Sequence, residues 1–496
     1  MKGKSLEKFR GMLKDYLDSL VIKDLRAYGR HIGVSNSTEK KKNKLIDEII
    51  GVLVGEIPPQ KPSTRGAPVK NDFVDPKIEE DIARIRKECE NDSSTMKGLP
   101  VFGEMVKDLG EFYSPDGQSL KFESPLAESE RQASRVYRGQ IQTLNGIACL
   151  LPTDCIEENS QCIFLPAELI REHDLREGDI ISCHACKGEN ALIVCEVLSI
   201  NDVFEQMPRR LQFESAEVGF PTTPIRFLGE GVSPTVMYKY LEWVMPVLKG
   251  QRGLLISAPK AGKTTMLYNM VKSLAQTDST VLPLVLLIDQ PPEVVGAFRS
   301  AVYFENVIYS TYEDDADKQV FTAEFLLKRA KRMAETGRDV VLFVDGFNAL
   351  ARAYNETENS EGGKVLEGGL ESKTLHYLKK FFGSARRFNK GGSLTIIGTL
   401  SCATGNPSDD LLARELATLA NLELRLDEKL SLKRIYPAID ALNSRASLGG
   451  FDMQTTDTFL QSEFLPRFGN EGLLLLLNQA NNIEELYALA RQKVAK

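Results

Sequence analysis

The chain has 496 residues, of which 42% are hydrophobic and 26% charged, and its formal net charge is −7. One hydrophobic core cannot serve a chain of this length, so we expect three or four domains of a soluble globular protein. No uninterrupted apolar run reaches membrane-spanning length, and the N-terminal sequence MKGKSLEKFR lacks a secretory signal. The composition therefore argues against a membrane protein and predicts a cytoplasmic location with no membrane partner.

The first fifty residues are basic, with twelve Lys and Arg against seven Asp and Glu. Apolar residues at helical spacing between Leu17 and Val54 predict two or three short helices, and we place an N-terminal helical subdomain at 1–55. The run KKKNK within it indicates either a solvated face or a nucleic-acid contact. A Pro-rich stretch begins at Ile57, and we expect residues 56–132 to form a largely flexible linker or insert.

Short β-rich runs separated by Gly, Asn and Asp turns occupy the region between about Val136 and Ile200, with the helical pattern PAELIREHDL in the middle. Five strands and one small helix are typical of an OB-fold, a β-barrel that often carries single-stranded nucleic acid on one face. We place this domain at 133–203. It is poor in the aromatic rings that stack on bases, and its clearest candidate, Phe164, is either a base-stacking residue or part of the core.

Six of the eight cysteines lie between Cys149 and Cys195, and they include the sequence Cys183-His184-Ala185-Cys186. One interpretation of this sequence is a zinc site. A zinc ribbon needs a second CxxC pair, which is missing, and this favours small buried strand residues instead. Eight cysteines in a chain this long do not indicate a disulfide scaffold.

The most informative stretch is GQRGLLISAPKAGKTT, from Gly250 to Thr265. Its apolar run predicts a buried strand that leads through a loop into a helix, which is the context of a phosphate-binding loop. The backbone N–H groups of such a loop and the N-terminus of the following helix bind a polyphosphate. We expect Lys263 to neutralise the β- and γ-phosphates and the Thr264 hydroxyl to bind Mg2+. Ser257 occupies the position of the usual first glycine.

Strands alternate with helices over 204–449, which predicts an α/β domain with a parallel sheet covered on both faces. Ligands of such sheets bind at the carboxyl ends of the strands. Asp345 ends one predicted strand and is expected to bind Mg2+, although an Asp there can also cap the next helix. The segment from Asp289 to Glu293 ends another strand. Hydrolysis requires a carboxylate at this position to activate water. Residues 450–496 are predicted to form a helical C-terminal extension.

Seven motifs follow one another in the second half of the chain: GQRGLLISAPKAGKTT, VLLIDQPPE, DVVLFVDGFNALARAYN, GGKVLEGGLESKTLH, KKFFGSAR, GGSLTIIGT and KRIYPAID. In this order and spacing they resemble the bacterial transcription termination factor Rho family. The resemblance is close from Phe213 to Asp440 and looser in the OB-like segment and the N-terminal helices. It implies a homohexameric ring of RecA-like ATPase domains that binds nascent single-stranded RNA, translocates along it with ATP and Mg2+, and dislodges RNA polymerase.

The resemblance also implies roles for individual residues. The nucleotide-contacting positions correspond to Leu248, Lys249, Gly250, Gln251, Arg252, Gly253, Lys260, Ala261, Gly262, Lys263, Thr264 and Thr265. Tyr436 falls where the family stacks an aromatic ring on adenine, and Arg352 and Arg434 fall at arginines of the subunit boundary. The pore loops that contact RNA correspond to segments containing Lys364, Val365 and Gly368, and Thr404, Gly405 and Pro407.

Two departures from the family pattern affect the nucleotide site. Gln290 stands where the family has its general-base Glu, and Pro291 stands where it has a nucleotide-contacting Arg. An amide orients water but cannot accept its proton, and loss of a general base costs about 10²–10⁴ in rate. The trans-acting arginine finger of the family is either Arg445, displaced by two residues, or absent, because its own position holds Ser447.

Two further departures affect RNA contacts. Pro407 replaces an RNA-contacting Lys, which removes a charge and stiffens the second pore loop. The RNP-like aromatic residues of the barrel are replaced by Ile147, Ala148 and Cys149, so that only Phe164 aligns with an aromatic residue.

The leading hypothesis from the sequence is therefore an RNA-dependent ATPase and translocase of the helicase type that ends transcription. The alternative is a degenerate ring that binds nucleotide and RNA with little ATP hydrolysis. A rotary ATP synthase subunit shares the same core fold, but the OB-like domain, the basic N-terminal helices and the segment GGKVLEGG disfavour it.

Overall fold

The structure is a computed structural model that describes 13–54 in part, 136–203, 210–447 and 459–495, with short internal gaps at 145, 154–161, 188–191, 230–231 and 359–364. The predicted linker at 56–132 lies outside the described residues. Contacts divide the chain into two compact units, Met1–Leu99 and Pro100–Lys496. Within the described ranges, no helix is both long enough and apolar enough to cross a membrane.

The first unit contains helix α1 (Lys42–Val54). Leu45, Ile46, Ile49 and Ile50 are buried, and their spacing of one, three and four residues puts them on one face of the helix. Lys40, in the basic run before the helix, forms an ion pair with Glu48.

The second unit begins with a closed five-stranded barrel. Its elements are β1 (Val136–Leu144), β2 (Ile147–Leu151), β3 (Ile163–Phe164), α2 (Ala167–Glu172), β4 (Ile180–Lys187) and β5 (Leu192–Ile200). Neighbouring strands follow the order β1-β2-β3-β5-β4, and β4 pairs with β1 to close the barrel. All pairs are antiparallel except β3 with β5. Closure leaves the barrel without an exposed sheet edge.

The cysteines of the barrel are structural. Cys149, Cys162 and Cys183 are buried, as expected for small strand residues. Cys186 on β4 is joined by a disulfide bond to Cys195 on β5, a pairing that the sequence analysis did not predict. In the described parts of the chain, no group of three or more His, Cys, Asp or Glu side chains could hold a metal ion.

The rest of the second unit is an α/β domain with helices on both faces of a nine-stranded sheet. Its strands are β6 (Val218–Gly219), β7 (Arg252–Ser257), β8 (Val281–Leu287), β9 (Val307–Tyr309), β10 (Asp339–Asp345), β11 (Arg386–Phe388), β12 (Ser393–Ser401), β13 (Leu422–Arg425) and β14 (Arg445–Ala446). Its helices are α3 (Val236–Lys239), α4 (Lys263–Thr277), α5 (Pro292–Ala301), α6 (Ala316–Glu335), α7 (Phe347–Glu358), α8 (Ser372–Phe382), α9 (Pro407–Ala417), α10 (Glu428–Leu432), α11 (Leu465–Gln479) and α12 (Ile483–Ala495).

Six parallel strands form the centre of this sheet in the order β13-β7-β12-β10-β8-β9. The described part of the sheet is mixed, not purely parallel as predicted, because β14, β11 and β6 add antiparallel pairs. One core lies under α4, α5, α11 and α12, and the other lies under α6, α7, α8 and α9. The central strands β7, β8, β10 and β12 are buried on both faces, which explains their continuous apolar sequences.

A buried arginine on α6 joins the barrel to the α/β domain. Arg329 is 1% exposed, and its guanidinium donates to the Gln140 side chain at 2.7 Å, to the Thr153 carbonyl at 2.6 Å and to the Glu305 carbonyl at 2.7 Å. Nearby, a Cβ atom on Gly178 would lie 2.5 Å from the backbone of Lys328. The two domains therefore meet through fixed hydrogen bonds and backbone contact.

We expect Arg329→Met to lower the free energy of unfolding by about 3 kcal/mol, because it leaves buried acceptors from both domains without a donor. Urea unfolding followed by fluorescence would measure the change. Lys328→Ala on the same helix is the control, since it removes a half-exposed ion pair with Glu177 that is worth at most about 1 kcal/mol. Equal losses in the two variants would contradict this account of the junction.

Candidate nucleotide-binding site

The loop between β7 and α4 has the backbone of a phosphate-binding loop. Lys260 and Gly262 have positive φ values of 63° and 97°, and Gly262 immediately precedes the first turn of α4. The Lys263 ammonium donates to the Ser257 hydroxyl at 2.9 Å and to the Ala258 carbonyl at 3.0 Å. Ser257, at the position of the usual glycine, thus anchors the lysine. The amino end of α4 and this ammonium give the loop the positive charge that a polyphosphate needs.

Asp345 ends β10 and is 3% exposed. Its Oδ1 accepts a hydrogen bond from the Thr399 hydroxyl at 2.6 Å, whereas Oδ2 forms none with the described residues. Burial raises the pKa of Asp345 above its ordinary value, and the hydroxyls of Thr399 and Thr264 and the ammonium of Lys263 oppose this rise. Lys263, Thr264 and Asp345 therefore converge at one edge of the sheet. A buried carboxylate oxygen that lacks a hydrogen bond fits a hard cation such as Mg2+.

The end of β8 lies beside Asp345, because the Ile288 amide donates to the Asp345 carbonyl at 3.0 Å. Asp289, which follows, has a left-handed φ of 57°, and its carboxylate lies 3.8 Å from the Arg352 guanidinium. The Gln290 amide turns back and donates to the Ile288 carbonyl at 3.2 Å. Pro291 precedes α5 as its N-cap residue. The side chain of Gln290, at the predicted water-activating position, is thus hydrogen-bonded to the end of its own strand.

An aromatic ring lies on the other side of the loop. The Tyr436 side chain is 49% exposed, and its hydroxyl accepts from the Asn269 amide of α4 at 2.9 Å. The Ser431 hydroxyl donates to the Lys260 carbonyl at 3.4 Å and so fixes this segment to the phosphate loop. Arg434 lies in the same segment, is exposed and has a φ of 59°. The geometry leaves the ring face available for a planar ligand next to the loop.

The segment from Leu248 to Gly253 lies at the opposite end of β7 from these residues, and its contact with nucleotide stays a prediction. The start of the segment is about 20 Å from the phosphate loop of the same chain, which is the length of a six-residue strand. The Lys249 ammonium pairs at 2.7 Å with Asp339, which starts the strand that Asp345 ends. The side chains of Gln251 and Arg252 bond to nearby backbone atoms, at Leu248 N and Leu419 O respectively. The resemblance assigns this segment to the nucleotide by its match to the family pattern, whereas in one chain the length of β7 separates the two.

The two predicted pore loops meet each other. A Cβ atom on Gly368, whose φ is 77°, would lie 2.3 Å from the Ser408 amide nitrogen. Val365 is 61% exposed, whereas Lys364 lies outside the described residues. In the second loop, the Thr404 hydroxyl donates to Asp409 at 2.7 Å, and Pro407 begins α9 directly after Gly405 and Asn406.

Phe164 lies at the margin of an apolar cluster rather than on an open surface. It is partly buried and packs with Phe321 of α6 against a cluster of apolar side chains, Ile147, Cys149, Leu151, Cys162 and Phe325. Period-two alternation puts Ile147, Cys149 and Leu151 on one face of β2. Since Phe325 belongs to α6, this face of the barrel is covered by the α/β domain. Of the two interpretations that the sequence left open for Phe164, the structure favours the core.

Arg445 lies at the β14 edge and bonds to a buried partner that the sequence analysis missed. Its Nε donates to Glu423 at 2.7 Å, and Arg425 donates to the other oxygen of the same carboxylate at 3.0 Å. Glu423 is 2% exposed, whereas most of the Arg445 side chain is exposed. A cavity of about 600 Å³ lies between this arginine pair and the start of the phosphate loop at Ser257. A Glu and an Arg that alternate with leucines in one short strand were the available signal.

We expect Lys263→Ala to weaken binding of a fluorescent ATP analogue at least about tenfold, because the loop loses its charge toward phosphate. Lys249→Ala is the matched control. It removes another partly buried lysine with a carboxylate partner, but at the opposite edge of the sheet, and should leave the Kd within about twofold. A comparable loss in the control would support the predicted contact role of 248–253.

Comparisons with known proteins agree with this geometry. The profile of the ATP synthase alpha/beta family, nucleotide-binding domain, matches residues 238–446. The transcription termination factor Rho of Karelsulcia muelleri is 38% identical over 272 residues, which are 55% of this chain and 71% of that protein. The Rho protein of Escherichia coli K12 is 36% identical over 310 residues, which are 62% of this chain and 73% of its own length. A solved ATPase of the type III secretion system is 16% identical, with a TM-score of 0.44 over 61% of this chain and 95% of that one. The chain belongs to the transcription termination factor Rho family.

Proposed function

We propose that this protein is an RNA-dependent ATPase that binds nascent single-stranded RNA, translocates along it and releases it from RNA polymerase. The observation that carries the proposal is the convergence of Lys263, Thr264 and the unpaired Oδ2 of Asp345 at the carboxyl edge of the sheet. Membership of the Rho family supports the same activity. The protein acts in the cytoplasm as a homohexamer.

The chain's own residues bind and orient the ATP. The phosphate loop from Lys260 to Thr265 surrounds the phosphates, and Lys263 exchanges its contacts with Ser257 and Ala258 for phosphate oxygens. Tyr436 stacks on the adenine. Thr264 and Asp345 hold Mg2+, which when bound neutralises the charge that develops on the phosphates. The intact loop and Asp345 support hydrolysis over the alternative of a ring that only binds nucleotide.

Three exposed or half-exposed arginines are candidates for the boundary between subunits. Arg352 and Arg434 lie at the same edge of the sheet as the phosphate loop. Arg445 lies at the β14 edge, where Glu423 accepts hydrogen bonds from one side of its guanidinium. An arginine so anchored is pre-organised to reach a phosphate of an adjacent subunit, since less side-chain entropy is lost on contact. We assign the arginine-finger role to Arg445.

RNA binds at the pore loops, and the barrel has a different role from the one in the family pattern. We propose that the barrel is an OB-fold, because a helix separates β3 from β4 and the strand order is β1-β2-β3-β5-β4. Phe164 packs against the cluster that includes Phe325 of α6, which leaves only part of its surface for the predicted base stacking. Lys364, Val365, Gly368, Thr404, Gly405 and Pro407 are the proposed RNA contacts. Gly368 and Gly405 give these loops the positive φ values of tight turns.

An ATPase assay with and without poly(C) tests the proposal. We expect ATP turnover by the purified full chain, stimulated at least about tenfold by single-stranded RNA and abolished in Lys263→Ala. Double-stranded DNA is the control polymer, because it presents phosphates without accessible single-strand bases. Turnover that is the same with and without every RNA tested would contradict RNA dependence, and no turnover at all would favour the nucleotide-binding alternative.

Replacing Gln290 by Glu should raise the rate of hydrolysis by about tenfold or more, up to the range of a restored general base. Glu cannot donate to the Ile288 carbonyl as Gln290 does, so its carboxylate is released from the strand and can accept a proton from water. Gln290→Ala separates these effects, because it also breaks the hydrogen bond but supplies no base. A similar rate in Gln290→Glu and wild type would show that another group activates the water.

A further inference from the structure

Helix α7 begins two residues after the metal-binding carboxylate and carries two asparagines on one face. Asn348 and Asn355 are seven residues apart, which is about two helical turns, so they lie in one row. Asn355 bonds to the first pore loop, and Asn348 bonds to Ser401 and Asp409, which lie on the two sides of the second. The asparagines therefore connect one helix to both loops, at points about 10 Å apart along its axis.

Asn348 holds the second pore loop. Its Oδ1 accepts from the Ser401 amide at 2.7 Å, and its Nδ2 donates to the Ser401 carbonyl at 3.0 Å and to Asp409 Oδ1 at 2.7 Å. Asp409 Oδ2 in turn accepts from the Thr404 hydroxyl at 2.7 Å. Asn348 and Asp409 are 8% and 7% exposed, so water competes little for these bonds. Buried, charge-assisted bonds of this kind fix geometry closely.

Asn355 holds the first pore loop. Its Nδ2 donates to the Gly369 carbonyl at 3.2 Å, and its Oδ1 accepts from the Glu371 amide at 2.7 Å. A cavity of about 360 Å³, lined by Asn348, Asn355, Gly368 and Asp409 among others, lies between the helix and the loops. The loops are thus bound to α7 at two points and have space beside it in which to move.

The start of α7 is tied to the nucleotide site by the Thr399 hydroxyl, which donates to Asp345 Oδ1 at 2.6 Å and accepts from the Gly346 amide at 3.0 Å. Gly346 has a φ of 115°, and a Cβ atom there would lie 2.7 Å from the Ile288 carbonyl oxygen. This is the carbonyl to which Gln290 donates. A change in the ligands of Asp345 therefore acts on the first turn of the helix.

We infer that α7 moves as a rigid body and so transmits the nucleotide state to both pore loops, with Asn348 and Asn355 as the positioning residues. This inference rests on the proposed function. Because Asn348 bonds to the second loop and Asn355 to the first, a shift of the helix moves the two loops together. Thermodynamic coupling is reciprocal, so RNA on the loops must also change the affinity for nucleotide at Asp345.

The test measures the Kd of a fluorescent, non-hydrolysable ATP analogue with and without saturating poly(C), using the full chain. The ratio of the two Kd values is the coupling factor, for which about fivefold or more is typical of coupled sites. We expect N348D to bring this factor to within about twofold of unity. The Asp side chain that replaces Asn348 cannot donate to Asp409, and its carboxylate repels the carboxylate of Asp409. Both effects release the second loop. Asn355→Ala, which releases the first loop, should lower the coupling factor in the same way. It replaces N348D in the test if N348D does not fold.

Two further variants separate coupling from general damage. The double variant N348D/D409N exchanges the two side chains, so that position 409 now donates and position 348 accepts. It should recover at least half of the coupling factor. Asn421→Ala is the matched control, since its Oδ1 accepts from the Arg252 amide at 2.7 Å at the opposite edge of the sheet. It should leave the factor unchanged.

The outcomes distinguish this inference from the proposed function. If wild type shows coupling and both N348D and Asn355→Ala retain it, the inference is overturned while the proposed function stands. If wild type binds both ligands without mutual effect, α7 carries no signal and the inference also fails. Failure of poly(C) to bind wild type would overturn the proposed function together with the inference.

Discussion

The structure depends on a carboxylate that is buried at the end of a parallel strand. Removing an ionised group from water costs several kcal/mol unless a partner of opposite charge or hydrogen bonds replace the hydration. Asp345 receives only part of this compensation from the protein, through the hydroxyls of Thr399 and Thr264 and the charge of Lys263 nearby. The proposed Mg2+ ion would meet the remaining deficit, and a ligand bound there would stabilise this edge of the sheet.

Strand order explains why this deficit can be met by one ligand. The strand that leads to the phosphate loop, β7, is separated from β10 by β12 alone, and Thr399 on β12 lies between the two sites. Residues from three strands therefore face one ligand without any long loop. The same parallel order carries the loop that holds Cys402 to Pro407 out of β12 at the carboxyl edge, next to the nucleotide. The proposed RNA-contacting and nucleotide-contacting segments are thus neighbours because adjacent parallel strands end at the same edge.

The sequence predicted the elements whose chemistry is local. The phosphate loop and Asp345 could be recognised because a strand, a turn and a polar residue follow one another within a few positions. Phe164 was ambiguous, since its environment depends on α6, more than 150 positions away. The contact role of 248–253 stays a prediction, because an extended strand separates this segment from the phosphate loop within one chain. The pairing of Glu423 with Arg445 and the bonds of Asn348 were missed because these partners come from other strands and helices.

Gln290 shows how a substitution at one site changes what its neighbours can do. An amide can donate to the Ile288 carbonyl, whereas the Glu of the family pattern cannot, so the replacement creates a bond that holds the side chain against its own strand. The same carbonyl lies against Gly346, where any Cβ atom would collide with it. The replacement therefore removes a proton acceptor and at the same time fixes the side chain at the end of β8, next to the start of α7. The proposed effect on hydrolysis and the fixed position of the side chain are two consequences of one substitution, and they must be measured separately.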